Sequence, residues 1–239
     1  MSFKEIESEI KPIYDSCSSD IVNDFYNKVL SESVRYDRIS RTFSSTSLAI
    51  ASKGIANFIR NEGHMRLLCG AILTQADQES IVNANDLKDY ISENFIDEYE
   101  NLEEEVVKNH VKLLGWMIAN NFLEIKIAIP LKDGKIFPNG MLHSRMGLLY
   151  DENEDCIMFE GAISELIKDW STTIEQLHVF KGWDDNKWII GAQEDFEELW
   201  NGKNESLMVL DVPEATKKQL IKIAPESKDE LENILKNDF

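Results

Sequence analysis

The sequence predicts an α/β domain, a mixed sheet flanked by helices, with a helical N-terminal arm and a helical C-terminal tail. Three observations point there. "VRYDRISRTF", a helical run and the apolar "MRLLCGAI" follow one another as strand, helix and strand; "FLEIKIAIP" reads as a buried strand; and amphipathic helical stretches precede and follow these strands. A chain of 239 residues, 43% of them hydrophobic, can build a core without staples.

Residues 3 to 33 carry helical apolar spacing through Ile6, Ile10, Ile13 and Tyr14, then Ile21, Phe25 and Val29, and "DSCSSD" separates two helices. "SSTSLAIASKGIANFIRNEG" opens on hydroxyl residues able to cap a helix and closes on Gly63, so the strands on either side form a parallel pair with a right-handed crossover. Residues 76 to 120 read as a long acidic helical cover. "FLEIKIAIP" ends at Pro130, and "LKDGKIFPNG" has the Gly and Pro of a turn. Residues 141 to 150 and 156 to 160 are predicted strands around "DENEDC". A short helix follows Gly161, then a strand in "EQLHVFKGW", a helix through "IIGAQEDFEELWNG", a strand "LMVLDV" and two final helices. The expected divisions are an arm over 1–33, the main domain over 34–202 and a tail over 203–239.

Cys17, Cys69 and Cys156 have no metal-ligand spacing, and their odd number, with no apolar N-terminal segment, argues for a reducing cytoplasm. Apolar runs are far shorter than the roughly 20 residues that cross a bilayer. A formal net charge of −19 opposes long-range attraction to nucleic acid or an anionic membrane. Charge is uneven, however: Arg35, Arg38, Arg41, Lys53, Arg60 and Arg66 fall within 36 residues carrying few acids, which allows a basic face on an acidic body.

In "MLHSRMGLLY", alternation puts Met141, His143, Arg145, Gly147 and Leu149 on one strand face. An imidazole attacking a phosphodiester needs a fixed cation beside it to hold the non-bridging oxygens, and Arg145 is in the right position; Gly147 would leave room for a ligand. The competing reading is an ordinary surface His-x-Arg pair. "FSSTS" offers Ser44 and Ser45 beside Arg41, either as phosphate-holding hydroxyls at a helix N-terminus or as a plain N-cap. His64, His110 and His178 have no metal-ligand spacing and are expected to be structural or solvent-exposed. Trp183, close after the motif, would pack or line a groove.

"LHSRMGLLYDENEDCIMFEGAISELIKDWSTTIEQLHVFKGW" resembles the single HKD segment of the phospholipase D-like domains at the N-terminus of many prokaryotic superfamily 2 helicases. The family pattern runs His-x-Lys-x-Gly, apolar residues, Asp, a turn, Gly-Ser-x-Asn-Glu, and a later Glu before a strand. It falls on His143, Arg145, Gly147, Asp151, Gly161, Ala162, Ser164, Glu165 and Glu175. "LSESVRYDRISRTFSSTSLAIASKGIANFIRNEGHMRLLCG", "EIKIAIP", "DFEELWNG" and "DVPEATKKQLIKIAP" extend the resemblance over nearly the whole chain.

The resemblance implies a phospholipase D-like fold and a metal-independent phosphodiesterase needing no cofactor. Two HKD segments would face each other across a two-fold axis, so one segment per chain implies a homodimer. One His143 would attack phosphorus, the other would protonate the leaving oxygen, and Glu175 would orient an imidazole. Gly161 and Ser164 would lie beside the phosphate. Arg145 replaces the pattern's lysine, Ala162 its serine and Ser164 its asparagine; the guanidinium keeps charge and bidentate reach, while the other two remove polar contacts. Two readings follow, an active dimeric nuclease module and a binding or dimerisation module that has lost turnover. The partners implied are nucleic acid, DNA before RNA, and a helicase in cis or trans, since no Gly-x-x-x-x-Gly-Lys-Ser/Thr loop occurs here. Nothing suggests a membrane-binding helix with a basic face.

Overall fold

The computed structural model describes residues 2–41, 52–71, 89, 105–142, 144–161, 176–184 and 186–237. The expected helical segments at 44–51, 76–104 (residue 89 apart) and just after Gly161 lie outside the described residues, as do His143, Ser44, Ser45, Ser164 and Glu175.

The strands, in chain order, are β1 (Ile13–Asp15), β2 (Arg35–Ser40), β3 (His64–Gly70), β4 (Leu123–Lys132), β5 (Lys135–Ile136), β6 (Met146–Tyr150), β7 (Cys156–Gly161), β8 (Gln176–Lys181) and β9 (Leu207–Asp211). Among the described residues they form one mixed sheet in the order β1-β8-β7-β6-β2-β3-β4-β5, with β9 also on β4. β2, β3 and β4 run parallel, whereas β6, β7, β8 and β1 join antiparallel. The helices are α1 (Asn27–Glu32), continuous with a π-helical turn at Val22–Tyr26, α2 (Ser52–Arg60), α3 (Glu105–Ala119), α4 (Asn186–Trp200), α5 (Glu214–Lys222) and α6 (Lys228–Asn237).

Strand alternation divides the core between two sheet faces. Tyr36, Leu149, Phe159, Leu177 and Val179 pack with Phe25, Val29, Phe58, Leu114 and Leu220, so α1, α2, α3 and α5 cover one face. Ile39, Leu68, Met146, Leu148, Tyr150 and Met158 pack with Ile189, Ala192, Phe196 and Trp200 of α4 on the other. The sheet is therefore flanked by helices on both sides, as the pattern predicts.

Several expectations change. Residues 3–15 are not α-helical: a 3-10 turn at Glu7–Glu9 gives way to β1, whose Ile13 and Tyr14 pair with His178 and Leu177. Pro12 explains this, because proline disfavours helix in the residue before it and supplies no N–H, while its carbonyl accepts from Val179 at 2.8 Å. The second half of the arm is helical. β4 runs past Pro130 to Lys132 and turns into β5 through Asp133 and Gly134, both at positive φ (53° and 72°), the geometry of a type I′ hairpin. After α2 ends at Arg60, it is Glu62, not Gly63, that takes positive φ (55°), and Gly63 is needed because Phe58's ring occupies the place of a side chain. The strand expected over 141–150 starts only at Met146, so residues 141, 142, 144 and 145 are not strand.

Candidate functional site

Sheet direction sets three of the predicted residues, Arg41, Arg145 and Gly161, at one end of the sheet. β2 ends at Ser40, opposite Cys69, and β3 ends at Gly70, opposite Ala128. β6 runs the other way, starting at Met146 opposite Ile39; β7 closes with Glu160 opposite Met146; and Gly161 faces Leu177 at the start of β8. Arg41, Leu142, Ser144, Arg145, Gly161 and Gln176 therefore gather at one end of the sheet. Residues 142 and 144 border His143, and residue 176 borders Glu175. These borders, together with Arg41, Arg145 and Gly161, are what the described residues contribute to the predicted site.

Close backbone approaches fix this end. A Cβ on Gly70 would overlap the Arg41 carbonyl oxygen and stand 3.2 Å from the Leu142 Cβ, so glycine there lets the chain after β2 and the chain before His143 cross over β3. The Gly161 N–H donates to the Arg145 carbonyl at 3.3 Å, one rung beyond the Met146–Glu160 pair. A Cβ on Gly161 would overlap the Gln176 carbonyl oxygen, so this glycine keeps β7 and β8 together directly before residue 176.

Arg145 is half-buried where β6 begins. Arg41 is also half-buried; its Nη2 donates to the Met141 sulfur at 3.1 Å and its Nε is buried without a hydrogen-bond partner. A thioether is a weak acceptor, so this guanidinium retains unused capacity for an anion. Among the described residues it forms no ion pair with a carboxylate.

Among the described side chains, the other arginines expected on a basic face do not share one. Arg35 stands at the opposite end of β2, its guanidinium 3.5 Å from the centre of the Tyr150 ring and its Nη1 3.5 Å from Glu154. Arg38 is buried at 2% exposure, over the Phe159 ring. Arg66 binds Asp37 through Nε (2.7 Å) and Nη2 (2.8 Å) and reaches Glu197 at 2.7 Å. Burial pulls the Arg66 pKa down, but these hydrogen bonds outweigh it and raise it above the usual guanidinium value. Arg60 pairs with Glu232 at 3.4 Å. The grouping of these arginines in sequence gave no sign of the carboxylates that the fold brings to Arg35, Arg60 and Arg66.

Other expectations are also corrected. Gly147 leaves no room for a ligand, because the Phe159 and Tyr36 rings fill the place of its side chain. Asp151 lies at the far end of the sheet, fully buried, accepting from the Phe3, Asn153 and Asp155 amides at 2.8, 2.9 and 3.0 Å; it ties the N-terminal segment to the β6–β7 turn. Trp183 lies at the end of the sheet away from Arg145, where its Nε1 donates to Glu7 at 2.8 Å. His64 contacts Glu124 at 3.2 Å, and His178 is exposed. The pattern of residues 131–140 reads as a turn alone, whereas the structure raises Lys132, Lys135 and Phe137 there, on the same end of the sheet as Arg41; the signal available was a pair of lysines flanking Asp-Gly. Among the described residues, no group of three or more His, Cys, Asp and Glu is arranged to hold a metal, and no helix is long and apolar enough to cross a membrane.

No protein-family profile matches the chain, and no curated protein matches it in sequence. Among solved structures, it is similar to NucT from Helicobacter pylori at 10% identity, over 83% of this chain and 97% of that one, with a TM-score of 0.48. It is similar to Nuc from Salmonella typhimurium, described as a phospholipase D family member, at 9% identity over 83% and 96% of the two chains, TM-score 0.44. A third similarity is to phosphatidylserine synthase from Haemophilus influenzae at 11% identity, over 93% of this chain and 47% of that one, TM-score 0.46. At such identities and scores the likeness is one of fold outline.

Proposed function

We propose that this chain is a phospholipase D-type phosphodiesterase module that cleaves nucleic acid, DNA before RNA, as a homodimer without metal. The observation that carries the reading is the convergence of Arg41, Arg145, Gly161 and the borders of residues 143 and 175 at one sheet end, with Arg41 Nε buried and unsatisfied. Two guanidinium groups at one site suit a phosphodiester, since each can hold non-bridging oxygens and stabilise charge in the transition state.

In this reading, His143 attacks phosphorus, an N–P bond forms and the P–O bond to the leaving group breaks. The leaving oxygen takes a proton from His143 of the partner subunit, with Glu175 orienting an imidazole. Water then attacks the phosphohistidine, giving its proton to the second imidazole, and the N–P bond breaks. Ser164, Ser44 and Ser45 are proposed phosphate contacts. The module works with a helicase, in cis or trans, in DNA processing or phage defence.

The test is cleavage of single- and double-stranded DNA in EDTA. Wild type cuts, and His143→Ala loses about 10²-fold or more. Equal background from both removes the enzyme reading. A second reading, nucleic-acid binding or dimerisation without turnover, draws on the departures at Arg145, Ala162 and Ser164; it is supported if DNA binding persists without cleavage and is lost in Arg145→Ala.

A further inference from the structure

Beyond the end of β3, the β4–β5 hairpin overhangs the sheet. Its last rung places Lys132 directly opposite Lys135. Side chains on one antiparallel rung share a face, and like charges there are unfavourable, so the hairpin carries an electrostatic cost that an anion would relieve. Among the described residues neither lysine has a carboxylate partner, although the whole chain bears a net charge of −19.

Phe137 follows immediately and is 44% exposed. Its backbone is pinned: its N–H donates to the Pro130 carbonyl at 2.9 Å, and its own carbonyl accepts from Gly140 at 2.9 Å. A Cβ on Gly140 would stand 2.9 Å from the Phe137 ring, so the ring lies against bare backbone. Lys132 Nζ sits 5.4 Å from the ring centre. Met141, also exposed, extends the surface to Arg41 through the 3.1 Å sulfur contact. A held, exposed aromatic ring, with Lys132 beside it, Lys135 on the same rung as Lys132, and a continuous path to an arginine that has an unsatisfied Nε, is thus built beside the candidate phosphate site.

We propose that Phe137 is a stacking platform for a base of single-stranded nucleic acid, with Lys132 and Lys135 holding the neighbouring phosphates. This rests on the phosphodiesterase reading for the direction in which the strand continues, past Met141 to Arg41. A duplex keeps its bases stacked on one another and cannot offer one to the ring, so the platform favours single strands over duplex.

The experiment measures binding of a fluorescein-labelled oligothymidylate, and of a duplex of equal length, to wild type, Phe137→Ala, Phe137→Trp, Lys132→Ala and Arg145→Ala, by anisotropy over a salt series. Phe137→Ala weakens single-strand binding about 5- to 150-fold and leaves duplex binding unchanged, while Phe137→Trp restores it. Lys132→Ala flattens the salt slope by about 0.7. Single-strand binding unchanged in Phe137→Ala, or equal loss on both probes, overturns the platform. Parallel cleavage assays separate the two claims. His143-dependent cleavage with unaltered binding by Phe137→Ala leaves the site standing without the platform. Phe137-dependent binding with no His143-dependent cleavage does the reverse.

Discussion

The amide of Gly161 donates to the carbonyl of Arg145 across 3.3 Å, joining two residues that lie 16 apart in sequence. On its other side β7 runs close against β8, which a side chain at 161 would prevent. Gly161→Ala sets a methyl against the Gln176 carbonyl, backbone against backbone, with nothing flexible to yield. The expected cost is about 2 kcal/mol, a Tm drop of roughly 4–8 °C in a thermal melt. An unchanged Tm would show that the β7–β8 approach is looser than described.

Gly147→Ala tests a different constraint. Its methyl would enter the Phe159 ring, which is 1% exposed and held by Phe25, Tyr26 and Tyr36 at centroid distances of 5.5, 5.2 and 6.3 Å. Overpacking of this kind costs about 1–3 kcal/mol, measurable as a lower urea midpoint. If Gly147 served a ligand instead, stability would hold and nucleic-acid binding would fall.

Local pattern made much of the fold legible. β4 as far as Pro130, the turn at Asp133-Gly134, β8 and α4 follow from alternation, turn chemistry and helical period, each decided within a few residues, whereas the extension of β4 to Lys132 and its pairing with β5 do not. The misread parts depend on partners far away. Ile6, Ile10, Ile13 and Tyr14 have helical spacing, yet Ile13 and Tyr14 form a strand because β8 offers a free edge next to Pro12. Arg66 looked like surface charge because its partners, Asp37 and Glu197, lie 29 and 131 residues away. Of the expected site residues, Arg41, Arg145 and Gly161 are described and stand at one end of the sheet, a placement set by strand direction that no local pattern carries. The Phe137 platform carried no periodic signal, since exposure of a ring is set by how a hairpin overhangs its sheet.

The Arg66–Glu197 contact gives a pH dependence. The hydrogen bond from Arg66 holds the Glu197 carboxyl below the ordinary glutamate range. A carboxylate with a depressed folded pKa adds stability that is complete above the unfolded value and is lost as pH falls through the folded one. Glu197→Gln should therefore be less stable than wild type near neutral pH, with the difference shrinking below about pH 4.5. A difference that instead grew on acidification, followed by urea unfolding across pH, would contradict the assignment.

Thiol reactivity follows from burial. Cys17 is exposed, while Cys69 and Cys156 are buried. Burial pushes the Cys156 thiol up to about 12 and, beside it, the Tyr150 hydroxyl also up to about 12. Because the thiolate is the reactive form, an aromatic disulfide reagent should modify Cys17 alone in the native protein and the two buried thiols only after unfolding. Rapid native modification of Cys156, read by peptide mass spectrometry, would show that the β6–β7 core opens.

The most direct test of the proposed chemistry is to acid-free quench a turnover on single-stranded DNA in EDTA and look for the covalent intermediate by mass spectrometry. The account predicts a phosphoryl-nucleotide adduct on His143, absent in His143→Ala. Cleavage that proceeds with no adduct on His143, or that persists undiminished in His143→Ala, would contradict it.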